Sequence, residues 1–267
     1  MSGASTGQVT SADGTSIVFD RYGAGPAIIL VHGAFTGRAH ALMSDVAAAL
    51  APWFTVINYD RRGRGDSGDT QPYAVERELE DLTALLAIAD GPAMVFGGSS
   101  GAGLALQAAP RNRAISKLAV WEPPYHVDDS APRLPHDFAA RLGALVRKGR
   151  RAAAVELFMT EAAEATAEAL AAMRLQPSWP QAQAVAHTLA YEAAVMGPGN
   201  ALPADRLAAI TQPTLVLTGG NSPAWITNAG KAVAGTIPAA AHRILEGQKH
   251  NVSPKALAPE LLEFFTT

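Results

Sequence analysis

The sequence predicts an α/β domain, with a mostly parallel central sheet flanked by helices and a helical cap inserted late in the chain. Three observations carry this. Short β-type runs alternate with helical stretches from Ser16 to Trp121, and again from Pro213 to Phe265. Some of these runs are apolar throughout, as in AIILV at Ala27–Val31, which is the pattern of a strand buried on both faces. From about Pro123 to Asp205 the β rhythm stops, and Ala, Leu, Glu and Arg dominate.

Taken in order, Ser16–Tyr22 reads as a strand and Ala27–Val31 as a central one. His40–Leu50 has helical spacing and stops before Pro52. Phe54–Tyr59 is the next strand. Val75–Ala89 reads as a helix closed by Gly91 and Pro92. Ala93–Phe96 is a strand, Gly101–Ala109 a helix and Lys117–Trp121 a strand. Inside the insert, helix-favouring runs lie at Phe138–Lys148, Ala152–Met173 and Gln181–Met196, punctuated by Pro177, Pro180, Pro198 and Pro203. Their Leu, Phe, Met and Val positions give these helices faces to bury. A strand at Pro213–Thr218, a helix near Trp225–Ala234, a strand at His242–Leu245 and a helix at Pro254–Phe265 complete the chain. The reading divides it into residues 1–122, the first part of the core; 123–205, the cap; and 206–267, the second part of the core.

Composition bounds the function. A chain of 267 residues suits one α/β domain with an insertion. With 48% hydrophobic and 17% charged residues it has material for a large core and is not a disordered chain. The net charge of -3 leaves no basic excess to neutralise phosphates, so nucleic acid is not expected as a partner. The absence of cysteine removes thiolate nucleophiles, disulfides and Cys-ligated zinc. No H-E-x-x-H occurs, and neither a metal nor an organic cofactor is expected. Met1 to Gln8 is small and polar, so no signal peptide is expected, and no apolar run is long enough to span a bilayer. A cytoplasmic enzyme acting on a small molecule is the resulting expectation, with its oligomeric state open.

The segment Phe96–Gly103 lies between a strand and a helix and contains G-x-S-x-G, with Gly97 and Gly101 flanking Ser99. A sharp strand-to-helix turn pushes a serine hydroxyl out of the sheet edge, and only small neighbours two residues away fit beside it. The helix that follows offers its positive end to a developing oxyanion. The rival reading is a glycine-rich anion-binding turn, but this segment has neither G-x-G-x-x-G nor the P-loop lysine. Ser100, between Gly98 and Ala102, is the lesser nucleophile candidate.

Five segments, LVHGAF (Leu30–Phe35), YDRRGRGDSG (Tyr59–Gly68), GGSSGAGLAL (Gly97–Leu106), PTLVLTGG (Pro213–Gly220) and LEGQKHNV (Leu245–Val252), resemble the α/β-hydrolase superfamily in content, order and spacing. The resemblance covers nearly the whole core and implies its fold. It does not fix the substrate, because the fold hosts esterases, lactonases, C–C hydrolases, acyltransferases and non-hydrolytic enzymes. It implies that the N–H groups of Ala34 and Ser100 form an oxyanion hole and that His250 is the general base. His32 then buttresses its loop, and Phe35, in the same loop, reads either as a pocket-lining residue or as packing. Arg61, Arg62 and Arg64 read as structural ion-pairing groups or as solvated charges, with substrate contact the lesser alternative.

The acid departs from the family's commonest pattern. The loop Gly219–Trp225, where an Asp is usual, holds no carboxylate. Asn221 or Ser222 could orient an imidazole there, but neither could stabilise an imidazolium by charge. A second placement known in the superfamily falls on Glu122, directly after the strand Lys117–Trp121. The order Ser99, Glu122, His250 keeps the usual sequence of nucleophile, acid and base. Glu246 is the runner-up and Asp205 a remoter option.

The expected activity is hydrolysis of a small-molecule ester, lactone or related carbonyl compound through an acyl-enzyme, with Ser99, Glu122 and His250 as the triad. A non-hydrolytic cyclase, acyltransferase or lyase on the same fold is the alternative, and a catalytically silent binding protein is a third reading. A serine nucleophile speaks against haloalkane dehalogenase and epoxide hydrolase chemistry, which needs a carboxylate at that position. Phe35, Tyr125 and Trp225 are the substrate-binding candidates, followed by Trp179, Tyr191 and Met196.

Overall fold

The computed structural model describes residues 4–267. Among the described residues eight strands form one sheet: β1 (Ser5–Thr10), β2 (Ser16–Tyr22), β3 (Ala27–Val31), β4 (Thr55–Tyr59), β5 (Ala93–Gly98), β6 (Ile115–Trp121), β7 (Thr214–Gly219) and β8 (Ala240–Leu245). Their spatial order is β1-β2-β4-β3-β5-β6-β7-β8. The β1–β2 and β2–β4 pairings are antiparallel and all others are parallel.

Every residue of β3, β4 and β7 is buried, because helices cover both faces of the sheet. The period-2 alternation of side chains divides β3 between two cores. Ile28 and Leu30 join one apolar cluster with α1 (Ala41–Leu50) and α11 (Pro254–Thr266). Ile29 and Val31 join the other, with α2 (Val75–Ala87), α3 (Ser100–Ala108), α9 (Ala204–Ala208) and α10 (Ala224–Thr236).

Between β6 and α9 the chain forms α4 (Phe138–Arg147), α5 (Arg151–Glu161), α6 (Ala167–Arg174), α7 (Trp179–Ala184) and α8 (Leu189–Met196). Phe138, Leu142, Ala154, Val155, Ala186, Leu189 and Ala193 give this insertion its own cluster, and Ala34 and Phe35 of the loop after β3 pack against it.

The elements differ from their expected bounds in three places. The segment before Ser16 contains β1, an edge strand whose one apolar residue, Val9, is partly buried; with one face solvated and nothing to alternate, it gives no strand signal. Met1–Gly3, part of the stretch read for a leader, lie outside the described residues. The run 152–173 is two helices: Glu164 adopts φ +53°, and the Thr166 hydroxyl accepts from Ala169 N–H to start α6. The run 181–196 likewise divides at a 3₁₀ turn, Ala186–Thr188, and its first helix begins earlier, at Trp179, with Pro180 in its first turn. Residue 205, where the cap is expected to end, lies in α9, and Leu207 of that helix is buried in the core cluster. Among the described residues, no helix is long and apolar enough to cross a membrane.

Candidate active site

β5 ends at Gly98 and α3 begins at Ser100, leaving Ser99 between them at φ 57°, ψ −128°. A non-glycine residue in such a conformation costs of order 1–3 kcal/mol and persists only when its surroundings hold it. Here the Ser99 N–H donates to Trp121 O at 2.8 Å, and Ser99 O accepts from Ala102 N–H at 2.9 Å. The flanking glycines are packing requirements. A Cβ on Gly97 would lie 2.5 Å from Gly101 O, and one on Gly101 would lie 2.4 Å from Val31 O. On Gly33 it would meet Gly98 O and Ser99 Cβ, each at 2.9 Å. The loop after β3 is therefore pressed directly onto the serine turn.

Ala34 follows directly after that contact. Among the described residues, no acceptor takes the N–H of Ala34 or of Ser100. The Ser100 N–H is one of the free donors that open a helix. His32 anchors the same loop from beneath. Its Nε2–H donates to Asn58 Oδ1 at 2.6 Å, and Asn58 Nδ2 donates to Arg38 O at 2.9 Å. Burial pushes the His32 imidazole down to about 3, so it stays neutral and serves as a strut.

His250 and Glu122 meet at the carboxyl edge of the sheet. His250 Nδ1–H donates to Glu122 Oε2 at 2.7 Å, which leaves Nε2 as the nitrogen able to take a proton. Glu122 is 0% exposed and sits at φ +45°. Its other oxygen, Oε1, accepts from Gly219 N–H at 2.8 Å and from the Ser222 hydroxyl at 2.5 Å. The indole N–H of Trp121 donates to His250 O at 2.9 Å, and Asn221 N–H donates to Gln248 O at 2.9 Å, so the loop after β8 is tied to the strands beside it. Ser99 Oγ makes no hydrogen bond among the described residues, so the serine and histidine are not joined in this structure. Glu246 and Asp205, the other acid candidates, are exposed, and neither bonds to His250.

The arginine turn after β4 is buried, which excludes solvated charges. Arg61 grips Glu78 through Nε and Nη2 at 2.6 and 2.7 Å, and its Nη1 reaches Glu192 at 2.8 Å and His32 O at 3.0 Å. Burial pushes Glu78 up, but the Arg61 charge and hydrogen bonds outweigh it and hold the carboxyl below its usual value. Arg62 faces the other way, to Asp81 at 2.6 Å and Asp13 at 2.9 Å. Arg64 donates to Gly33 O at 2.5 Å and Thr36 O at 3.1 Å and contacts Glu192. Sequence reasoning missed Glu78 and Glu192, since a carboxylate 131 residues from its arginine leaves no local pattern.

The substrate-binding candidates separate. Phe35, at φ 62°, sets its ring edge-on to Phe158 of α5 at 5.6 Å, where core loop meets insertion. Trp225 bridges the same boundary, its indole N–H donating to Glu164 at 2.7 Å. Trp179 packs on the insertion's cluster. Tyr125 and Met196 are buried in the core cluster, and Tyr191 stacks on Tyr73 at 3.7 Å with its hydroxyl on Asp69; none of the three bonds to Ser99 or His250. Among the described residues, no group of three His, Asp or Glu side chains is arranged to hold a metal ion.

The alpha/beta hydrolase family model matches residues 28–259. A solved alpha/beta hydrolase from Sphaerobacter thermophilus DSM 20745 is 54% identical; the match covers 97% of this chain and 100% of that one, with a TM-score of 0.91. The uncharacterized hydrolase YraK of Bacillus subtilis (strain 168) is 43% identical over 97 residues, a match that spans 35% of this chain and 35% of that curated relative. The esterase RhEst1 from Rhodococcus sp. ECU1013 shares the fold, at 21% identity and a TM-score of 0.71 over 98% of this chain and 100% of that one.

Proposed function

Since the chain belongs to the alpha/beta hydrolase family, we propose that it is a serine hydrolase that cleaves a small ester, lactone or related carbonyl substrate through an acyl-enzyme on Ser99. The observation that carries this reading is the fully buried Glu122 carboxylate, bonded at 2.7 Å to His250 and set beside the strained serine turn. A carboxylate taken out of water is costly unless it is hydrogen-bonded; here Gly219 N–H, the Ser222 hydroxyl and the His250 ring meet it, and of these the ring is the one that can become cationic.

His250 Nε2 takes the Ser99 proton as Oγ attacks the carbonyl carbon. In this cycle Ser99 Oγ and His250 Nε2 come into hydrogen-bond contact once substrate is bound; such bonds are commonly long in unliganded sites. The N–H groups of Ala34 and Ser100 receive the tetrahedral oxyanion, and Glu122 stabilises the imidazolium. The leaving alcohol departs with the proton from His250. Water, deprotonated by His250, then attacks the acyl carbon, and the bond to Ser99 breaks as His250 returns the proton to Oγ and the acid leaves. The helical insertion, taken as a cap over residues 123–205, shields these steps from bulk water, and Phe35 and Trp225 stand at its boundary with the core.

p-Nitrophenyl ester turnover tests the proposal. Ser99→Ala and His250→Ala should each lower kcat by about 10³-fold or more, and a fluorophosphonate probe should label wild type but not Ser99→Ala. Near-wild-type turnover by Ser99→Ala would overturn it.

A further inference from the structure

Gly33 C=O and Ala34 N–H belong to one planar peptide group, so whatever draws electron density at the oxygen strengthens the N–H as a donor. That oxygen accepts a charge-assisted bond from Arg64 Nη1 at 2.5 Å. The same Arg64 nitrogen donates to Thr36 O at 3.1 Å, so one guanidinium holds the loop on both sides of Ala34. Arg61 adds a third grip, on His32 O at 3.0 Å.

We propose that Arg64 is a positioning residue of the oxyanion hole, polarising the Gly33–Ala34 peptide and fixing its direction so that the Ala34 N–H is a stronger donor to the reacting oxygen. The inference rests on the acyl-enzyme reading of Ser99. Its setting makes the charge effective: the Arg64 side chain is 3% exposed, in surroundings where a charge is poorly screened. Glu192 on α8 holds the guanidinium in place, contacting Arg64 through one oxygen and Arg61 through the other, at 2.8 Å. The Arg64 Nε–H also reaches the Thr188 hydroxyl, at 3.3 Å. The insertion thereby contributes to the chemistry without touching the substrate, because its docking aligns Arg64 on the peptide that carries the donor.

The test compares wild type with Arg64→Lys and with the charge-balanced double variant Arg64→Met/Glu192→Gln, which leaves Arg61 paired with Glu78. The acyl-enzyme is trapped with a slowly released ester labelled ¹³C at its carbonyl, and the carbonyl stretch is read by infrared difference spectroscopy. Weakening one donor should lower kcat about tenfold in the double variant, less than the loss on deleting a donor outright. KM should change less than about threefold, and the carbonyl band should move to higher wavenumber. Arg64→Lys, which keeps a charge but reaches fewer acceptors, should fall between. A folded variant, judged by an intact thermal transition, with wild-type kcat and an unmoved band overturns the inference. A role confined to stability would lower the Tm and leave the band in place, which also overturns it. Absence of any acyl-enzyme in wild type, or its formation in Ser99→Ala, would instead sink the reading of Ser99 on which the inference stands.

Discussion

His32 and His250 make nearly the same contact and have different capacities. Each lies on a loop just past the carboxyl end of a strand, and each donates from one ring nitrogen to a side-chain oxygen, at 2.6 and 2.7 Å respectively. The partner of His32 is the neutral amide of Asn58, whereas that of His250 is the Glu122 carboxylate. His32 is 1% exposed, and the His250 side chain is 48% exposed. A protonated His32 would lose its hydration and also face Arg61 and Arg64, so burial and then these charges hold it near 3. The His250 ring instead faces the Glu122 carboxyl on one side and solvent on the other. Whether an imidazole can serve as a base is decided by its partner and its exposure, not by having a hydrogen bond.

The most direct way to break this comparison is to give His250 the kind of partner His32 has. Glu122→Gln replaces the carboxylate with an amide and removes the charge to which the proposed mechanism assigns stabilisation of an imidazolium. The amide can also present its NH₂ to the ring and favour the wrong tautomer. We expect kcat to fall by about 10³- to 10⁴-fold, read from ester turnover across pH. Wild-type turnover by this variant would show that Glu122 is not the residue on which His250 depends.

The meeting of Glu122 and His250 was legible in the sequence because each position is set by its neighbours. Glu122 directly follows an apolar strand, and His250 follows the last one, so parallel pairing brings both to the same edge. The serine turn was legible for a related reason: Gly97, Ser99 and Gly101 lie within five consecutive residues, and their packing constraint is local. Glu192 was not legible, since it reaches Arg61 and Arg64 only through the docking of α8. Strand β3 announced itself through five apolar residues, whereas β1, with a single partly buried valine, did not. The break between α5 and α6 was hidden because alanine is compatible with helix on either side of it.

The pH dependence of stability sharpens the comparison from the other histidine. His32 has an unfolded value near 6.5 and a folded one of about 3, so the unfolded chain binds the proton first as pH falls. The contribution of this residue is complete above pH 6.5 and is lost progressively from there down to about pH 3. The slope is about 1.4 kcal/mol per pH unit within that window. Urea unfolding at several pH values should show it as a difference between wild type and His32→Gln, which removes the titrating ring but can still donate to Asn58. Parallel stability curves for the two proteins would show that His32 does not carry this penalty. Ester turnover should remain measurable in His32→Gln, in contrast to His250→Ala.

The smallest expected effect concerns what holds the carboxylate that distinguishes His250. The loop after β7 has no acid, yet it supplies Ser222, whose hydroxyl serves the carboxylate and not the imidazole. With Gly219 N–H it occupies Oε1 and leaves Oε2 to His250. A hydrogen bond to a charged acceptor contributes roughly 1.5–3 kcal/mol, but Gly219 remains and water can replace part of the hydroxyl's role. Ser222→Ala should therefore lower kcat/KM by about tenfold, and Ser222→Thr should retain most of the activity. The decisive measurement is the double-mutant cycle with Glu122→Gln. If the hydroxyl acts by orienting the carboxylate, most of the Ser222→Ala loss disappears once residue 122 is glutamine, whereas an equal loss in both backgrounds would place its action elsewhere.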